Sequence, residues 1–141
     1  MNIEQFLSEE RSRVMNLFSS SHKTGFLSKH DLSDWFVSQI QQQNFKCYYC
    51  ETSIFDIKKL IGAKLLTTRK IRYGERGPIL EIDKKLNGLG YLKTNCVLAC
   101  YYCNNDKSYT LNADQYKTYF GPARNVFFKV LLNELEPKTL Q

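Results

Sequence analysis

The sequence predicts an α+β fold: two short strands and a helix stapled together by cysteines, with helices on either side. Three observations predict it. Four of the five cysteines fall into two Cys-x-x-Cys pairs, Cys47/Cys50 and Cys100/Cys103. Two short apolar runs flank a glycine-bearing loop just ahead of the second pair. Segments of helical period occupy both ends of the chain. At 141 residues the length suits one domain, and a metal staple suits a core of this size.

The elements follow in order. Ile3, Phe6, Leu7, Val14, Leu17 and Phe18 keep helical spacing with polar residues between them. Residues 19–25 are a turn-rich break. Ser28 and Asp31 have the spacing of a capping box. Behind them Leu32, Trp35, Phe36 and Ile40 make one apolar stripe, on a helix predicted to end near Gln43 and Asn44. The pattern is weakest over residues 51–68. There, residues 54–61 allow a short helix, and residues 64–73 read as an extended basic segment closed by Gly74, Gly77 and Pro78. Residues 79–83 (Ile-Leu-Glu-Ile-Asp) read as a strand, residues 87–90 as a loop, and residues 96–99 (Cys-Val-Leu-Ala) as a second strand. A helix starts at Cys103. Asn112 and Gln115 can cap another carrying Tyr116, Tyr119 and Phe120, which Gly121-Pro122 is expected to end. A last helix carries Val126, Phe127, Val130 and Leu131.

Composition narrows the class. The chain is 43% hydrophobic, which suits a globular protein and not a disordered one. No apolar run is long enough for a bilayer, and the first residues lack the apolar stretch of a signal peptide. The expectation is a cytoplasmic protein with no membrane partner. The net charge is +6. Its excess gathers between Lys58 and Lys93, where the only acids are Glu75, Glu81 and Asp83. A basic segment around a candidate site is the electrostatic footprint of nucleic-acid binding.

In a reducing compartment two Cys-x-x-Cys turns favour metal over disulfide. Each turn lets two sulfurs reach one ion, and two turns close a tetrahedral thiolate shell. That is the pattern of structural Zn²⁺, one ion per chain, held by Cys47, Cys50, Cys100 and Cys103. The long spacer between the pairs must hold a folded insert, and the strand pair fits inside it. Cys96, in an apolar run, reads as a buried small hydrophobe. The Tyr-Tyr pairs inside both turns read as packing around the metal.

The stretch EIDKKLNGLGYLKTNCVLACYYCNNDKS, residues 81–108, resembles the HNH, or ββα-metal, endonuclease superfamily. The matching positions are Asp83, Asn95, Cys100, Cys103, Asn104 and Lys107, with Cys47 and Cys50 at the family's upstream turn. The likeness covers about residues 45–110. Residues 1–44 then form a helical N-terminal extension and residues 111–141 C-terminal helices of one domain. The family's general-base His is replaced by Lys84. A branch of restriction and phage-type enzymes with Asp-Arg and a loop Gly-Tyr resembles the chain more closely, and Gly90-Tyr91 stands at that place.

The resemblance implies a metal-dependent DNA endonuclease of restriction or phage type. Asp83 and Asn104 would hold a catalytic Mg²⁺ or Mn²⁺ through oxygen, Asn95 would brace the loop, and Glu81 shares a strand face with Asp83. Lys84 has three readings: a base of depressed pKa, a cation that steadies the attacking hydroxide or the phosphorane while Tyr91 orients the water, or a substitution that silences catalysis. Arg69, Lys70, Arg72, Arg76 and Lys107 are the DNA-contact candidates, with double-stranded DNA as the expected partner. Because one active site cuts one strand, the chain could work as a homodimer. The alternative is a catalytically silent, zinc-stapled nucleic-acid-binding module.

Overall fold

A computed structural model describes residues 2–136. The architecture is mixed helix and sheet, with two separate two-stranded antiparallel sheets. Helix α1, Ile3–Met15, is capped by Asn2, whose Oδ1 accepts from Glu4 N–H. It packs along α2, Lys29–Gln42, and buries Val14, and Phe6 beside Phe45 and Phe55. Leu17 and Phe18 lie beyond its end, and Leu17 is exposed. A 3₁₀ turn, Ser20–Thr24, leads to α2. Ser28 caps α2 at Asp31 N–H, as the sequence predicts. The reciprocal half of the box differs: the Asp31 carboxylate accepts from Leu27 N–H and from Lys93 Nζ, tying the helix start to a distant loop.

Behind α2 the chain turns sharply through Asn44 and Phe45, both at positive φ. Gln43 does an unusual job there. Its side-chain amide accepts from Leu98 N–H (3.0 Å) and donates to Leu98 C=O (2.9 Å). One amide thereby supplies the partner that a neighbouring strand would give, covering an otherwise open sheet edge. The first cysteine turn follows. Then comes α3, Ile54–Gly62, capped by Ser53 and burying Ile54, Ile57 and Leu60.

Strands β1, Arg69–Ile71, and β2, Gly74–Arg76, form a hairpin that is almost wholly exposed. Gly74 at φ +123° makes the tight turn possible. Strands β3, Leu80–Lys84, and β4, Cys96–Cys100, pair antiparallel, with Leu80 opposite Cys100 and Lys84 opposite Cys96. Helix α4, Tyr101–Lys107, leaves β4 directly through the second cysteine turn.

The C-terminal region departs from expectation in two ways. Gly121-Pro122 does not end a helix. Instead α5, Ala113–Gln115, runs through a π turn, Tyr116–Phe120, into α6, Gly121–Glu134. Proline is tolerated because it sits at the first turn of α6, where its missing N–H breaks no bond. Gly121 is required by proximity: a Cβ there would stand 2.2 Å from the Tyr49 carbonyl oxygen. Of the four apolar residues read on the last helix, only Leu131 turns inward. Phe128 and Leu131 are buried, while Val126, Phe127 and Val130 are exposed. The apolar residues of this helix spread over more than half of its circumference, so spacing alone does not choose its inner side. Among the described residues no helix is long and apolar enough to cross a membrane.

Candidate metal centre and cleft

The two cysteine turns meet. The Sγ atoms of Cys47, Cys50, Cys100 and Cys103 all lie within 4.8 Å of one another, and all four residues are buried. None is in a disulfide. Tetrahedral zinc with bonds of about 2.3 Å spaces its sulfurs roughly 3.8 Å apart, and Cys50 and Cys100 are 4.0 Å apart. Backbone N–H groups of Tyr49 and Cys103 point at the Cys47 and Cys100 sulfurs, each at 3.4 Å, as suits anionic sulfur. Hydrogen bonds from Cys100 and its neighbours pull the Cys50 thiol pKa down, whereas burial pushes that of Cys100 up. A dication would stabilise all four as thiolates, so the donor set fits a structural zinc. Cys96 stands apart, buried as expected, its pKa raised to about 12 by burial and by the Asp83 charge.

The cysteine cluster anchors β3, β4 and α4, and these carry the polar residues. From β3, Glu81 receives a two-pronged ion pair from Arg76, Nε to Oε2 at 2.9 Å and Nη2 to Oε1 at 2.6 Å. Asn104, in the first turns of α4, donates from Nδ2 to Glu81 Oε1 at 2.9 Å, which leaves its Oδ1 as a free oxygen donor. Two residues along β3, Asp83 is 7% exposed. Its Oδ2 accepts from the Tyr49 hydroxyl at 2.5 Å and lies 3.3 Å from Lys107 Nζ. Burial raises the Asp83 pKa, opposed by the Tyr49 hydrogen bond and the Lys107 charge.

Lys107 requires a correction. Expected at the surface as a phosphate contact, it is wholly buried, and its ammonium also donates to the Lys84 carbonyl oxygen at 3.0 Å. A buried ammonium needs such partners, and Asp83 is the charge that holds it. Arg76 is likewise not a free DNA contact, because it is bound to Glu81 and lies over the Tyr101 ring. Arg69, Lys70 and Arg72 remain exposed on the β1–β2 hairpin.

Asn95 is buried and closes the loop between β3 and β4. Its Oδ1 accepts from Leu86 N–H, and its Nδ2 donates to the Leu86 and Gly90 carbonyl oxygens. The loop so held presents Tyr91, with the Lys84 ammonium 5.0 Å from its ring centre. Burial raises the Tyr91 pKa.

A cavity of about 300 Å³ opens beside this group, lined by Arg76, Glu81, Tyr91 and Asn104, and by His22. Asp83 does not line it. The fold thus brings Glu81, Asn104 and Tyr91 to one cleft, while Asp83 is turned to Tyr49 and Lys107. His22 is the residue that sequence reasoning missed. It comes from the 3₁₀ turn after α1, and its ring centre lies 4.7 Å from that of Tyr91. No local sequence signal marks this approach, which Gly25 permits: a Cβ there would stand 2.1 Å from the Tyr91 carbonyl oxygen.

In comparisons with known proteins the chain matches no family model, no curated protein and no solved structure.

Proposed function

We propose that the protein is a metal-dependent DNA endonuclease of the ββα-metal type. The observation that carries this reading is the junction of β3 with α4, where Asn104 and Glu81 meet at 2.9 Å on the wall of a cavity. Asp83 follows on the same strand face. Asp83 and Asn104 would hold Mg²⁺ or Mn²⁺, which requires Asp83 to turn from Tyr49 and Lys107 toward the cleft, where Glu81 stands 2.9 Å from Asn104. Such a cation supplies Lewis acidity at the phosphate and stabilises the leaving oxygen.

The chain's own residues do the remaining work. Asn95 fixes the loop so that Tyr91 stands at the cleft. Lys84 places a positive charge over the Tyr91 ring, where it can offset charge growing on a phosphorane. Tyr91 orients the attacking water. Arg69, Lys70 and Arg72 hold the duplex backbone from the exposed hairpin.

A second reading is favoured by one specific observation. The Lys107 ammonium already sits on Asp83, where a catalytic cation would compete for the same oxygens. On that reading the protein is a zinc-stapled DNA-binding module that does not cut. Plasmid nicking with Mg²⁺ separates the two. The nuclease reading expects nicking that EDTA abolishes and that Asn104→Ala abolishes with zinc content unchanged. Tight, salt-sensitive binding without nicking would establish the silent module instead.

A further inference from the structure

His22 is held in an unusual way. The backbone N–H of Ser19 donates to its Nδ1 at 3.1 Å. A backbone N–H can only donate, so this Nδ1 must be an acceptor, and the proton of the neutral ring belongs to Nε2. One face of the imidazole stacks on Phe18 at 6.2 Å, and Tyr91 lies against it at 4.7 Å. Among the described residues Nε2 has no hydrogen-bond partner, and His22 lines the cavity that Glu81, Asn104 and Arg76 share. The aromatic neighbours and the Ser19 contact leave the ring little freedom to flip.

We infer that His22 is a fixed Nε2–H donor of the cleft and binds a non-bridging oxygen of a phosphodiester. This rests on the nuclease reading for its role in catalysis, but not for the donor itself. His22 does not replace the missing base. With Nδ1 occupied and Nε2 protonated, its ring has no free lone pair to take a proton from water. It adds a neutral donor to a cleft whose carboxylate Glu81 is already matched by Arg76. Burial lowers the His22 pKa, which keeps the ring in this neutral form.

The test is nitrogen NMR of the ¹⁵N-histidine-labelled, zinc-loaded full chain, alone and with a short DNA duplex. At neutral pH the His22 signals should be those of a ring protonated at Nε2, and duplex should shift the Nε2 resonance. In plasmid nicking, His22→Ala should lower the rate about 10²-fold, the usual loss for one transition-state donor. His22→Gln should recover most of it, because Gln keeps an acceptor for Ser19 and a donor for phosphate. A ring protonated at Nδ1 overturns the inference. So does an unmoved Nε2 signal in a protein that binds or cuts the duplex. A shifted signal in a protein that binds without cutting supports the donor and removes the nuclease reading alone.

Discussion

Lys107 Nζ lies 3.3 Å from Asp83 Oδ2, with the lysine fully buried and the carboxylate nearly so. Removing either partner strands the other charge away from water. Lys107→Met and Asp83→Asn should each destabilise the fold by about 3–5 kcal/mol. The double variant should recover much of that loss, as read by urea unfolding. In Lys107→Met the freed carboxylate should make stability rise with added Mg²⁺. No such rise would mean that Asp83 is not a cation ligand.

Metal should be inseparable from the fold. Elemental analysis should find one zinc per chain. Stripping it with a strong chelator should lose the near-ultraviolet circular dichroism of Tyr49 and Tyr102, which pack beside the cluster, since closed thiolate sites in small domains contribute folding energy directly. Cys100→Ser should behave like the stripped protein. Cys96→Ser should not, because Cys96 stands outside the four-sulfur cluster.

The loop should depend on one amide. Asn95→Asp keeps the shape but turns both donors that reach Leu86 and Gly90 into acceptors facing carbonyl oxygens. The loss in unfolding free energy should exceed the ~1–3 kcal/mol of a single unmade buried hydrogen bond. Zinc content should not change.

DNA binding should sort the basic residues of the hairpin. Arg69→Ala, Lys70→Ala and Arg72→Ala should each reduce the slope of log affinity against log salt by about 1. Arg76→Ala should leave that slope alone and lower stability instead, because its partner is Glu81. Filter binding across a salt series distinguishes the two behaviours.

Acid should loosen the N-terminal helices through Asp31. Hydrogen bonds from Lys93 and Leu27 N–H hold its pKa below the ordinary carboxylate value of about 3.9. A carboxyl depressed in the folded state binds more protons when unfolded. Its contribution is therefore full above that ordinary value and disappears as pH falls through the folded one. Wild type should melt above Asp31→Asn at neutral pH, and the gap should close below about pH 4.

What was legible in the sequence was local. The cysteine pairs, the strands around residues 80–84 and 96–100, and the Ser28 and Asn112 caps depend on neighbours a few positions away, so pattern alone finds them. Lys107 was misplaced because a lysine reads as surface until the carboxylate that neutralises it is known. The inward side of α6 was not legible because its apolar residues spread over more than half of its circumference. Gln43 standing in for a strand, and His22 reaching Tyr91, depend on contacts between segments far apart in the chain. No periodicity encodes these.

The Gly25 approach to Tyr91 sets how the chain can be cut. Trimming to the stretch that starts at residue 45 would keep the sulfur cluster and the β3–β4 pair that ends at Cys100. It would also strip away the imidazole wall and the backbone buttress behind the tyrosine. A shortened version that keeps the cleft intact therefore has to carry the first two helices along.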